Sequence, residues 1–381
     1  GGINSIYDYG PLGVLLKNNL KKAWLKEMVQ LNDNVVGLDS GILMHPKVWE
    51  ASGHLEGFSD PLVDCKSCKK RFRADHLLEA KGLKPDFRPA EFKKHNLKCP
   101  ECDGELTDVR DFNLMFKTFM GALEGKTSEI YLRPETAQGI YVNFQNVLNS
   151  MKVKIPFGIA QIGKAFRNEI TPGNFVFRMR EFEQMEMQFF VHPSDADKWF
   201  KTWQERRMAW YLSLGMDKKK LKFRDHKPDE LAHYAAQATD IEYDFPFQDR
   251  ELEGIHNRTD FDLKQHAKYS KQDLKVNDLE AKEKYIPYII ETSGGCDRAT
   301  LAFLIDAYTE VETRSGDQDS KHETEVVLKL HKDLAPIKIA ILPLSKKLDE
   351  EARVVYDLLK TNYMCDYDVT GSIGKRYRRQ D

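Results

Sequence analysis

At 381 residues the chain exceeds one ordinary hydrophobic core and is expected to form two or three domains. Apolar residues make up 41% and charged residues 31%, the balance of a soluble globular protein, and no apolar run reaches the length of a membrane span. A net charge of −2 excludes a globally basic nucleic-acid binder, so any such surface must be local. Tyr7-Asp8-Tyr9-Gly10-Pro11 reads as a turn into a helix, along which Leu12, Leu15, Leu16, Leu20, Ala23, Trp24 and Met28 keep helical spacing. A strand-like VVGLDSGIL follows, then HPKVWEASGH, where Pro46 opens a short helix and Gly53 ends it. A polar insertion from Asp64 to about Asp108 carries two CxxC pairs. Glu129–Leu132 reads as a strand, and Thr136 as the cap of a helix running to about Met151.

Ile155–Phe190 reads as two strands joined by a loop holding Thr171, Pro172 and Gly173. Alternation puts Arg178, Arg180, Phe182, Gln184 and Glu186 on one face, with Arg167 and Glu169 sharing a face across the loop. Unpaired charges there are costly, which points to a charged ligand. Arginines suit phosphate oxygens, a Phe suits a stacked ring, and carboxylates suit an ammonium, so the set asks for a nucleotide beside an amine. Downstream, Asp195–Leu214 is expected to be helical with Trp199, Trp203 and Trp210 in the core, and Ile241–Phe247 with Glu251–Ile255 a hairpin. Tyr285–Ser293 reads as a strand and Asp297–Tyr308 as a helix. Thr313–Glu325 is the linker candidate; beyond Ala335 a β-α-β order starts a separate small domain. Arg133 with Glu135, and Glu291 with Ser293 ahead of Arg298, add charge at two more strand ends. Surface ion pairs explain one such strand, but poorly explain four.

Around Phe166-Arg167-Asn168-Glu169 the pattern resembles motif 2 of class II aminoacyl-tRNA synthetases. DYGPLG, HPKVWEASGH, RPETAQG, FRNEITPGNF, REFEQME, TDFDL and KRYRRQD resemble, over nearly the whole chain, the homodimeric type of glycyl-tRNA synthetase. The resemblance implies an α/β (α+β) protein with an antiparallel β-sheet catalytic domain flanked by helices. A zinc-ribbon-like insertion would interrupt it, and a truncated α/β anticodon-binding domain would follow. The expected boundaries are 1–63 (motif 1), 64–108 (zinc-binding insertion), 109–312 (motifs 2 and 3), 313–335 (linker) and 336–381 (incomplete anticodon-binding domain). The implied reaction is ATP-dependent activation of glycine and its transfer to tRNA(Gly), in a cytoplasmic homodimer.

The resemblance also implies roles. Arg167 would hold the ATP α-phosphate, Phe182 would stack on adenine, and Arg178 and Arg298 would hold the distal phosphates, with Glu251 binding magnesium. Asn168, Glu169, Phe177, Met179, Arg180, Glu181, Leu252, Gly295, Cys296 and Asp297 fall in the matching nucleotide-contacting stretches. Glu135, Glu186 and Glu291 would surround the glycine ammonium; Phe182, Glu183, Gln184, Met185, Thr292, Ser293, Gly294 and Gly295 lie in the stretches around it. Arg73 matches a substrate-contacting arginine, and Arg258 is a candidate for orienting the glycine carboxylate. Thr292 stands where the family usually has proline and Cys296 where it has alanine. Cys296 reads as a small residue in an alanine place rather than as a nucleophile.

Cys65-x-x-Cys68 and Cys99-x-x-Cys102 are spaced to hold a structural zinc, with redox-active pairs or an empty relic of a metal site the alternatives, and this cysteine usage favours a reducing compartment. Lys375, Arg376, Arg378 and Arg379 read either as a solvated face or as phosphate contacts. Lone histidines at His45, His54, His226 and His233 read as structural groups. The chain starts at Gly1 without methionine and stops abruptly at Asp381, so both ends are expected to be truncated. Adenylate formation is then expected to survive and tRNA charging to be impaired. A catalytically inactive relative would lack Arg167, Glu251 or Arg298, and a different class II synthetase would lack the three carboxylates; all are present.

Overall fold

Gly10 and Pro11 start helix α1 (Pro11–Leu25), because proline at the first helical position has the right φ and loses no needed hydrogen bond. Its Leu16, Leu20 and Trp24 enter the main core. The computed structural model describes residues 3–83, 92, 94–122, 128–278, 282–312 and 324–380. Around α1 lies a seven-stranded sheet built from β1 (Val35–Gly37), β2 (Phe157–Phe166), β3 (Glu181–Val191), β4 (Leu221–Asp225), β5 (Gln237–Phe245), β6 (Gln248–Thr259) and β7 (Tyr288–Gly295). The strand order is β1-β2-β3-β7-β6-β5-β4. Only the short edge pair β1–β2 is parallel; every other pairing is antiparallel.

The two faces of this sheet have different cover. On one, Met185, Met187 and Phe189 of β3 pack with α1, α3 (Ala196–Ser213) and α5 (Cys296–Ala307). On the other, Phe157, Ile159, Phe190 and Ile289 pack with α2 (Ala137–Met151), near α4 (Phe261–Ser270). That second cluster covers one end of the face. Where it stops, the same strand face turns polar.

A separate three-stranded sheet, Ser59–Asp64, Arg71–Arg73 and Arg110–Asn113, carries the cysteine-bearing insertion on its own small core of Val63, Ala74, Leu78 and Phe92. At the C-terminal end, Ile339–Ile341 and Cys365–Tyr367 pair in parallel across the helix Asp349–Leu359, the expected β-α-β order.

Several expectations need correcting. Of the linker assigned to 313–335, residues 313–323 lie outside the described residues. Thr324–Leu328 is not linker but a strand, paired antiparallel with Tyr308–Glu312. Leu334 is buried in the main core, and Asn19 donates to the Leu334 and Ala335 carbonyls at 3.1 and 2.9 Å, so this stretch is docked on the body. Short apolar spacing outweighed the charge-rich composition. Thr136 does precede α2, but its hydroxyl donates to Glu186 instead of capping the helix. The basic tail is largely used internally: Arg376 donates to the Pro343 and Gly371 carbonyls, Arg379 pairs with Asp368, and Arg378 with Glu325. Trp203 and Trp210 are buried in the core, with Trp199 packed against it.

Candidate active site

Strand register assembles one half of the site. Gln188 of β3, Glu291 of β7 and His256 of β6 lie directly opposite one another in a row, as do Gln161, Glu186 and Ser293 in the next. Side chains two residues apart share a face, so Glu291, Ser293 and Gly295 all open into one cavity, and Phe182, Gln184 and Glu186 join them from β3. Glu135, at the turn before α2, completes the carboxylates.

Each carboxylate is held differently. Glu291 pairs with Arg258 at 3.0 Å and His256 at 2.8 Å and accepts from Gln188 at 2.9 Å. Burial alone would raise its carboxyl, but Arg258 and His256 outweigh burial and hold it well below the usual range. Glu135 has His54 at 3.5 Å and Gln138 at 2.9 Å; against burial, His54 and Arg258 bring it down to about 2. Glu186 goes the other way. Burial, with Glu291 and Glu135 as like-charged neighbours, pushes its carboxyl well above the usual range. Their surroundings therefore favour ionisation at Glu135 and Glu291 and oppose it at Glu186, in the same space.

The other half of the cavity is cationic and aromatic. Arg167 donates to the Pro134 carbonyl at 3.0 Å and lies 5.4 Å from the centre of the Phe182 ring. Arg298, at the first turn of α5, sits 4.3 Å over Phe177 and donates to the Glu251 carbonyl at 2.8 Å. The Glu251 side chain is half exposed, with an oxygen 3.5 Å from Arg298. Arg178 forms a 2.6 Å ion pair with Glu169, so a phosphate at Arg178 would compete with that carboxylate. A strip of arginines and rings beside a nest of carboxylates can take a polyphosphate-bearing aromatic at one end and an ammonium at the other.

Several residues expected at the site do not line this cavity. Glu183 and Met185 alternate to the far face: Glu183 pairs with Lys17 and Lys21, and Met185 is in the core. Thr292 and Gly294 alternate away from the cavity likewise; Thr292 is buried and its hydroxyl has no partner among the described residues. Leu252 and Cys296 are fully buried in the core, and burial pushes the Cys296 thiol up, which fits a packing role and not a nucleophile. Asn168 and Glu181 lie outside the lining, and Arg180 donates to the Glu169 and Asn4 carbonyls, tying the motif loop to the N-terminal segment. Arg73 pairs with Asp60 on the adjacent strand at 2.9 Å and with Asp75 at 2.5 Å, outside the cavity. Arg133, paired in the sequence reading with Glu135, is buried and donates to the Lys164 and Ser40 carbonyls; Gly163 has no Cβ in the way. Arg258, by contrast, does line the cavity, and it is engaged there by Asp262 at 2.8 Å as well as by Glu291.

The match to known proteins is close. Residues 119–308 match the tRNA synthetase class II core domain (G, H, P, S and T). A glycine–tRNA ligase of Acetivibrio thermocellus is 56% identical over 393 aligned residues, covering 100% of this chain and 84% of its own. That of Geobacillus thermodenitrificans is also 56% identical, at 100% and 83% coverage. This chain belongs to the glycine–tRNA ligase family. In fold it also resembles a Giardia lamblia prolyl-tRNA synthetase solved in complex with prolyl-adenylate, at a TM-score of 0.64 and 15% identity, spanning 99% of this chain and 62% of that one.

This family member carries its four CxxC cysteines together: all four sulfurs lie within 4.8 Å of one another, with Cys65–Cys102 at 3.5 Å and Cys68–Cys99 at 3.7 Å. Tetrahedral zinc with bonds of about 2.3 Å requires sulfurs about 3.8 Å apart. Backbone N–H groups of Ser67 and Cys68 donate to the Cys65 sulfur, and Gly104 gives the space that a Cβ would take from it. The donor set and its spacing fit a structural metal.

Residues lining this ligase cavity that the sequence reading did not place there are Val176, Tyr234 and His256. His54, weighed only as a structural histidine, touches Glu135. His256 carried one usable signal, its place two residues from Arg258 on the β6 strand. Gly254, whose missing Cβ leaves room for the His256 ring, carried another. Tyr234 carried none, because it comes from an irregular segment.

Proposed function

We propose that this chain joins glycine to tRNA(Gly) in two steps, through glycyl-adenylate. The observation that carries this reading is the division of one cavity into a carboxylate-lined end and an arginine- and ring-lined end. ATP lies with its adenine on Phe182, its α-phosphate at Arg167 and its distal phosphates at Arg178 and Arg298. Glycine lies with its ammonium among Glu135, Glu186 and Glu291, near Ser293. A glycine carboxylate oxygen attacks the α-phosphorus, and the bond to pyrophosphate breaks. That nucleophile is already ionised and needs no general base, so the protein's part is alignment and charge neutralisation. A terminal ribose hydroxyl of tRNA(Gly) then attacks the adenylate carbonyl, and AMP leaves.

Glu251, half exposed at the cavity mouth beside Arg298, would hold magnesium, which prefers one or two carboxylates plus phosphate oxygens and neutralises phosphate charge. The four cysteines would hold one zinc, stapling the insertion. Residues 64–108 form that insertion and 336–381 part of an anticodon-binding domain. The working unit is a homodimer formed through motif 1; the exposed apolar side chains Leu12, Val14 and Leu25 of α1 are consistent with a partner surface. Among the described residues no helix is long and apolar enough to cross a membrane, and the reading places the protein in the cytoplasm.

Glycine-dependent exchange of labelled pyrophosphate into ATP tests this reading. Exchange with glycine is expected. No exchange, or better exchange with alanine or serine, would overturn it.

A further inference from the structure

Tyr234 lies in the segment between β4 and β5 that folds back across β6. The segment is anchored there: the Ala236 N–H donates to the Asn257 carbonyl at 2.8 Å and the Thr259 hydroxyl to the Tyr234 carbonyl at 3.5 Å. Its ring stacks over the Arg258 guanidinium, 3.9 Å from ring centre to cation, and is backed by His233 and Phe261. Tyr234 lines the same cavity as Glu135, Glu186 and Glu291. Its hydroxyl has no hydrogen-bond partner among the described residues, while the charges that bear on it are Arg258, Glu291, Glu135 and Asp262. The phenol therefore stands among the groups assigned to the ammonium.

Glycine is distinguished only by what it lacks, and a site can select it only by refusing a side chain at the α-carbon. The carboxylates must stay close to the ammonium, and Arg258 and His256 are fixed by Glu291. The substrate carboxylate must point toward Arg167. Tyr234, a large side chain from a segment between strands, lines the cavity with its hydroxyl unbonded among the described residues. We propose that Tyr234 is a specificity-determining residue: its ring, held on Arg258, closes the amino-acid subsite over the α-carbon and leaves no room for a β-carbon.

This proposal rests on the adenylation reading, and one assay separates the two. Pyrophosphate exchange is measured with glycine, alanine and serine on the whole chain and on Tyr234→Phe, Tyr234→Leu and Tyr234→Ala, with thermal unfolding checking that each variant is folded. The wild type should exchange with glycine; if it does not, the adenylation reading fails first. Tyr234→Phe should keep the glycine-to-alanine ratio of kcat/KM. Tyr234→Ala should narrow that ratio by about tenfold or more, the scale at which pockets discriminate one methylene, with Tyr234→Leu between them. The leucine variant keeps the test informative if the alanine variant does not fold. An unchanged ratio in the smaller variants, with glycine and alanine rates falling together, overturns the proposal. Loss of discrimination in Tyr234→Phe overturns it too, because the hydroxyl and not the ring would then be responsible.

Discussion

Glu186 is the carboxylate of the proposed amine subsite whose ionisation its surroundings oppose. Buried against Glu291 and Glu135, it has its pKa raised by burial and those neighbours, which favours the protonated form in the free protein. An ammonium brings the positive charge that the proton supplied, so binding should lower that pKa and expel the proton. The sign follows: below the raised pKa, ammonium and proton compete, and glycine affinity falls as pH falls, by up to about tenfold per pH unit. Calorimetry in buffers of different ionisation enthalpy should show proton release on glycine binding; a buffer-independent heat would refute this. Glu186→Gln should remove the pH dependence and weaken glycine binding by roughly 1.5–3 kcal/mol, the scale of a charge-assisted hydrogen bond. At this scale Glu135, Glu186 and Glu291 were legible as carboxylates on strand faces. Which one's surroundings oppose ionisation was not, because that depends on His54, His256 and Arg258 arriving from other strands and loops.

Between elements, buried ion pairs fix how helices sit on the sheet. Arg207 of α3 donates to both oxygens of Glu253 on β6, at 2.6 and 3.1 Å, and Tyr211 donates to the same carboxylate at 2.8 Å. Both side chains are almost fully buried. Arg207→Met leaves Glu253 charged and unpaired and should cost about 3–5 kcal/mol in chemical unfolding, whereas Arg207→Met with Glu253→Leu should recover most of that loss. A double variant no more stable than the single one would show that the pair matters for packing instead. Lys17 has a similar place on α1, 2.5 Å from Asp297 and 2.7 Å from Glu183, and joins motif 1 to the start of β3 and of α5. Alternation along β3 was readable and correctly separates Glu183 from Gln184. What Glu183 meets on its own face was not readable, because the partner lies 166 residues away in the chain at Lys17.

In the molecule as a whole, the cysteine-bearing insertion rests on its own small core, separate from the main one. Zinc should stabilise that unit locally. Chelation is expected to release one zinc per chain, read with a colorimetric indicator, and to raise amide hydrogen exchange across 64–108 while glycine-dependent pyrophosphate exchange largely persists. Loss of protection throughout the main sheet would contradict a purely local role. The exposed apolar residues of α1 make a second forecast at this scale. Leu12→Glu with Val14→Glu should shift the mass measured by light scattering from dimer to monomer, and an unchanged mass would place the interface elsewhere.

Local chemistry determined a good deal from the chain alone. Period-two alternation marked the strands of Ile155–Phe190, paired cysteines marked a cluster with metal-ligand spacing, and arginines beside a phenylalanine marked residues that share one cavity. These signals sit within a few residues of each other, where side-chain direction follows from backbone geometry. Only the tertiary structure decided which charges face the ligand and which face each other. Arg258 looks like a substrate ligand in the chain and Arg133 like a charge at a strand end, yet one is held by Asp262 and Glu291 and the other by backbone carbonyls. Tyr234 and His256 reach the cavity because strand register and a folded-back segment bring them there. Cross-strand register and long-range ion pairs depend on the whole chain being folded, and no local pattern encodes them.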